Sequence, residues 1–124
     1  MANPNIVGVA TISGKTDVFS LADTSANTIL SNGSGSGKVF KVNTIIVAND
    51  DGTNNADITV AYHSAAAGGG AAVEIAKTIQ VIADSTLVLI DKASSFYLEE
   101  NRSLVATASA ANDLNVIVSY EEIS

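Results

Sequence analysis

Hydrophobic and polar positions alternate most clearly over residues 38–63, KVFKVNTIIVANDDGTNNADITVAYH. In its first arm Phe40, Val42, Thr44, Ile46 and Ala48 fall on one side, and Val39, Lys41, Asn43, Ile45 and Val47 on the other. That period of two is the spacing of a pleated strand. Residues 49–55 gather Asn, Asp and Gly, which tolerate positive φ or bond to their own backbone, so the pattern predicts a reversal there. The return arm sets Ile58, Val60 and Tyr62 against Asp57, Thr59 and Ala61. The whole stretch predicts a β-hairpin in an antiparallel sheet.

The rest of the chain follows the same rule in shorter pieces. Residues 6–13 (IVGVATIS) predict a strand, Gly14-Lys15 a turn, and residues 16–21 (TDVFSL) a second strand. A polar connection at 22–27 leads to a short strand at 28–31, and Asn32-Gly33-Ser34-Gly35-Ser36-Gly37 has the composition of a flexible, exposed hairpin tip. The Ala/Gly-rich residues 64–72 form a second loop, because three consecutive glycines each cost a helix about 1 kcal/mol relative to alanine. Residues 73–83, 86–91, 96–98, 103–110 and 114–123 then predict strands separated by polar turns, with Leu114, Val116, Val118 and Tyr120 sharing a face of the last. Eight or nine short strands with no helix predict an all-β chain. The expected architecture is an antiparallel β-sandwich with jelly-roll or Greek-key (immunoglobulin-like) topology, two alternatives that spacing alone does not separate.

Composition narrows the picture. A chain of 124 residues is one domain's worth, so the expectation is a single sandwich over residues 1–124, with 1–5 as an N-terminal arm. The absence of cysteine removes disulfides and zinc-thiolate chemistry, and the start has neither the basic residue nor the apolar run of a secretory signal. The longest apolar runs span four residues, too short to cross a bilayer, so no membrane partner is expected. With 13 acidic and 6 scattered basic residues the formal charge is −7. Direct nucleic-acid binding needs a basic patch that releases counterions, and none is present.

No catalytic constellation emerges, and neither an enzyme nor a cofactor is expected. The run Gly33-Ser34-Gly35-Ser36-Gly37-Lys38 looks like a phosphate loop, but Asn32 and Val39 stand where the motif needs Gly and Ser/Thr, and the run opens a strand instead of a helix. His63 is the only histidine, which leaves no base-orienter pair and no two-histidine metal site within one chain. Asp50, Asp51 and Asp57 have oxygen ligands suited to calcium, yet their spacing is that of a turn. The adjacent pairs Glu99-Glu100 and Glu121-Glu122 point to opposite faces of a strand, and the chain has no tryptophan to hold a sugar ring.

Two stretches, KVFKVNTIIVANDDGTNNADITV and IAKTIQVIADSTLVLIDKASSFYLEENRSLVATASAANDLNVIVSYEEIS, resemble small virion structural proteins of tailed bacteriophages, particularly marine and cyanobacterial ones. The resemblance covers roughly residues 38–124. It departs at Asn101-Arg102, where the group has Gly-Asp, and in the loop at 64–72. It implies a capsid decoration (cement) protein on the outer surface of the head, probed by its partners through contact residues instead of a catalytic site. The implied partners are other copies of itself, as a trimer, and the major capsid protein or another virion protein. A tail, neck or baseplate module is the alternative, and a carbohydrate-binding module a more distant one. Contact residues expected on this reading are Ala2, Asn3, Pro4, Asn5 and Ile6, then Ser34, Gly35, Ser36, Gly37 and Lys38, and Ala65, Gly68, Gly69 and Gly70.

Overall fold

β-Branched and aromatic residues that alternate with polar ones stabilise a sheet only when their apolar sides meet another sheet. A computed structural model, which describes residues 4–124, shows how this chain achieves that. The strands are β1 (Ile12–Ser20), β2 (Asn27–Asn32), β3 (Val39–Asn49), β4 (Ala56–His63), β5 (Ala72–Val81), β6 (Thr86–Ile90), β7 (Phe96–Leu98), β8 (Arg102–Ala108) and β9 (Leu114–Ile123). They form two antiparallel sheets, ordered β1-β9-β3-β6 and β2-β8-β4-β5, with β7 pairing β3 on the same edge as β6. β6 and β7 act as one strand interrupted by a turn at Lys92–Ser94, where the Asp91 carboxylate accepts from the Ala93 and Ser94 amides. Counted so, eight strands in this order make a jelly roll, which decides between the two topologies.

The predicted hairpin over 38–63 does not form. β3 and β4 belong to different sheets, and residues 50–55 carry the chain across the sandwich. Sheet faces lie about 10 Å apart, a gap that six residues span easily. The faces of β3 also differ from the prediction. Phe40 and Val42 share the inward face, but the register against β9 shifts between Val42 and Thr44, so Ile45 and Val47, not Thr44 and Ile46, are the buried residues beyond it. One extra residue reverses every later side chain.

The N-terminal prediction is corrected as well. Residues 6–11 are not a strand and Gly14-Lys15 is not a turn; β1 begins at Ile12 and runs continuously through Gly14-Lys15, with Gly14 opposite Glu121 and Lys15 opposite Tyr120. The strand starts where its only partner ends, since Ile12 lies opposite Ile123. The faces of β4 and β9 are as predicted: Ile58, Val60, Leu114, Val116, Val118 and Tyr120 are buried. A single cluster fills the space between the sheets, built on Phe40, Ile45, Val118 and Leu98 from one side and Ile29, Ile58, Val60 and Leu104 from the other. Small residues on the second sheet, Ala56, Ala106 and Ala108, face the large ones of the first. Alternating large and small side chains in this way lets the layers interdigitate at native density.

Candidate functional site

With no catalytic cluster to build on, the candidate site is a surface. Three expected contact segments come together at the end of the sandwich where β2 stops and β3 begins: Pro4 to Ile6, residues 34–38 and residues 64–72. Ala2 and Asn3 lie outside the described residues. Pro4 and Ile6 line a cavity of about 190 Å³ with Val39, Tyr97 and Glu99. Val39 and Ile123 are on the outer face of their sheet yet only 4% and 5% exposed. Ser34, Gly35 and Gly70 are exposed, while Ser36, Gly37, Lys38, Ala65, Gly68 and Gly69 are half-buried.

The turn leading into β8 organises this end. The Glu100 carboxylate accepts from the Gly35 amide at 3.2 Å and the Gly37 amide at 3.0 Å, and both glycines have positive φ, 73° and 70°. Asn101 Oδ1 accepts from the Ala66 amide, and Arg102 donates to the Ser64 carbonyl. Ser103, fully buried, accepts from the Gly68 amide and donates to the Ala65 carbonyl at 2.7 Å. Asn32, also fully buried, donates from Nδ2 to the carbonyls of Lys38 and Leu98 and so ties one sheet to the other. Residues 33–37 are therefore pinned, contrary to the expectation of a flexible hairpin tip, and they link two sheets instead of closing a hairpin.

Sequence reading missed Asn32, Glu100 and Ser103 because each looks like an ordinary turn residue. Their burial is set by partners 35 to 66 residues away. The phosphate-loop resemblance has a physical end point here. Gly35 and Gly37 do turn their amides toward an anion, but the anion is the chain's own Glu100.

The other candidates resolve similarly. His63 Nδ1 lies 3.2 Å from the Gly69 carbonyl oxygen, at the edge of a shallow concavity of about 330 Å³ on the outer face of the second sheet. That concavity is lined by small residues, Ala61, Thr28, Thr59 and Thr107, together with Glu74 and His63. Asp51 is occupied by the amides of Thr53 and Asn54, which hold its carboxyl below the usual carboxylate range. Asp50 accepts from the Asn115 side chain. Among the described residues no group of three or more His, Asp or Glu side chains is placed to hold a metal ion. Glu121 and Glu122 diverge as expected: Glu121 accepts from Asn43, and Glu122 bridges Lys15 and Lys38, each at 2.8 Å. The hydrogen bonds from those two lysines hold the Glu122 carboxyl below its ordinary value. Burial, then the hydrogen bond to Asp17, pushes the Tyr120 hydroxyl up to about 12.

No family model matches the chain, and no curated protein matches it in sequence. Solved structures do resemble it. A chain of the Bacillus endospore appendages, described as a novel family of disulfide-linked pili, superposes with a TM-score of 0.53 at 19% identity, covering 92% of this chain and 88% of that one. A chain of the acidic stable capsid of Helicobacter pylori bacteriophage KHP30 gives 0.54 at 11% identity, covering 94% and 90%. A chain of infectious bursal disease virus, Gx strain, gives 0.51 at 10% identity; 93% of this chain covers 32% of that one, about a third of its length. At these identities the likeness is one of fold: a β-sandwich found in viral capsids and in a spore pilus.

Proposed function

We propose that this chain is a structural protein of a virion, a capsid decoration protein that binds the assembled head in many copies. The observation that carries the reading is the match, over nearly the full length of both chains, with a bacteriophage capsid chain. The pilus neighbour is described as disulfide-linked, a linkage this chain cannot make because it has no cysteine. The surface fits the same role. Two of its loops are pinned by side chains at one end, so little conformational entropy is lost when that end docks. Contact with the major capsid protein goes through Pro4 to Ile6, 34–38 and 64–72, and three copies share each site. A protein that binds only the assembled shell stabilises the shell by mass action.

A carbohydrate-binding module would present a row of exposed aromatics. Among the described residues, Tyr97 is the one aromatic in the exposed large hydrophobic set, while Phe40 pairs with Tyr120 and Tyr62 with Phe96. The tail or neck alternative differs from decoration in copy number. Quantitative mass spectrometry of purified particles is the test: a copy number comparable to that of the major capsid protein is expected, and a small fraction of it would move the protein to the tail or neck. Light scattering of the purified protein checks the trimer, expected at three times 12.6 kDa.

A further inference from the structure

The four sheet edges of this sandwich are not alike. β5 shifts register twice against β4 and carries Thr78, a β-branched residue, at φ 46°. β2 has six residues and one shift, and the opposite edge of the first sheet is broken into β6, of five residues, and β7, of three. Bulges, short strands and interruptions of this kind keep an edge from pairing with another chain. β1 has none of them. It runs nine residues in one unbroken register against β9, and seven of the nine are exposed, including Ile12 at 57% and Val18 at 64%.

We propose that β1 pairs antiparallel with β1 of a second copy, about a two-fold axis at Thr16, joining two four-stranded sheets into one. Two observations select this partner and this register. First, centring on Thr16 pairs the full length of the strand, from Ile12 opposite the second Ser20 to Ser20 opposite the second Ile12. Second, it places each Lys15 opposite the other copy's Asp17, so the edge is complementary to itself. Matching of the pleat allows only registers in which the axis falls on a residue of the strand. Moving the axis to Lys15 opposes two lysines, moving it to Asp17 opposes two aspartates, and either shift leaves strand ends unpaired. Like charges directly opposite are destabilising. In the selected register Val18 faces Gly14 of the other copy on the outer face, where no side chain obstructs it. Such a contact is isologous and closes on itself. It lies along one side of the sandwich; its first half adjoins the segments proposed to meet the capsid, where Glu122 bridges Lys15 and Lys38, and the pairing connects copies held at neighbouring sites.

Because the chain has no cysteine, single introduced thiols report the register directly. Opposed Cα atoms in an antiparallel pair are about 4.5–5.5 Å apart, within disulfide reach. Under mild oxidation Thr16→Cys is expected to form a disulfide dimer about tenfold or more faster than Lys77→Cys on the blunted β5 edge. Gly14→Cys and Val18→Cys should stay monomeric on a non-reducing gel when alone and form a mixed dimer when combined, which also serves if Thr16→Cys fails to fold. Equal rates at Thr16→Cys and Lys77→Cys, or no mixed dimer, would overturn the pairing. Rapid crosslinking of Lys15→Cys with Thr16→Cys silent would overturn the register and its charge argument. This is read on the purified chain and the virion reading on particles, so either can fail alone.

Discussion

At the end where β2 stops, the Asn32 side chain donates to the Leu98 carbonyl of the opposite sheet and to the carbonyl of Lys38 just before β3. At the other end, where β3 stops, Asn49 donates to the Val81 carbonyl of the opposite sheet and to the Asn54 carbonyl of the connecting loop, and its Oδ1 accepts from the Asp51 amide. The two asparagines are 0% and 2% exposed. What surrounds them differs. Around Asn32 the loops are held by side chains of the turn into β8, Glu100 to Ser103, and cations are at hand in Lys38 and Arg102. Around Asn49 the loops are joined to one another mainly backbone to backbone, Asp50 to Asp113, Asp84 to Asp51, Asn49 to Ser85 and Asn112 to Leu21, with fewer side-chain bonds between them, such as Asn55 Oδ1 accepting from the Ala83 amide. Those loops, 21–26, 50–55, 82–85 and 109–113, carry five aspartates and no lysine or arginine. One end depends on particular side chains and the other on the path of the main chain, so substitutions should tell them apart.

The largest effects should come from the feature the ends share. Asn32→Ala and Asn49→Ala each strip the donor from two carbonyls, and an unsatisfied buried group costs about 1–3 kcal/mol. Each variant is expected to lose about 2–4 kcal/mol in urea unfolding with an unchanged m-value. A loss below 1 kcal/mol at either position would show that water replaces the side chain there. Next comes a variant that separates the ends. Glu100→Ala removes the acceptor of the Gly35 and Gly37 amides and should cost about 1–3 kcal/mol. Hydrogen exchange should show those two amides losing protection while the amides of Asp50 and Asp84 keep theirs. Loss of protection at both ends together would mean the two are coupled.

The sequence shows why this comparison was hidden. The inward faces of β4 and β9 follow from alternation alone, since the pattern holds through Val60 in β4 and Tyr120 in β9. In β3 the parity breaks because of what lies beside it: the shift near Asn43 is set by pairing with Ser119 and Tyr120, far along the chain. Residues 6–11 have the same alternation as a strand, but β9 ends opposite Ile12 and beyond it Ser124 alone pairs, with Ala10 and Thr11. Asn32 and Asn49 carry turn chemistry in their type and cross-sheet chemistry in their position, and only the second is specific to this fold. The three contact segments were legible as loops, but their arrival at one end depends on the order of strands in the two sheets.

pH offers a gentler way to load individual groups. Glu122 has its folded pKa lowered by Lys15 and Lys38, so it contributes stability above its ordinary value of 4.5 that is lost as pH falls through the folded value. Tyr120 has its folded pKa raised from 10.0 to about 12, so stability present below pH 10 is lost across that window as pH rises. Thermal unfolding of Tyr120→Phe should flatten the alkaline limb and leave the acid limb in place.

The smallest expected effect belongs to the acidic end and has the opposite sign. Burial, then the negative charge of Asp51, raises the Asp113 carboxyl above the ordinary 3.8. A raised carboxyl pKa means the charged form is disfavoured in the fold, so the penalty is present at neutral pH and relieved as pH falls through the folded value. Asp113→Asn removes that charge and leaves the main-chain bond in which the residue 113 carbonyl accepts from the Asp50 amide. The variant is expected to melt slightly higher than the parent at pH 7 and at the same temperature once the carboxyl is protonated. Added salt should shrink the difference, because exposed charges are screened over about 10 Å at 0.1 M. A lower melting temperature at pH 7 would mean that Asp113 holds its loop through its side chain, and the distinction between a side-chain end and a main-chain end would fall with it.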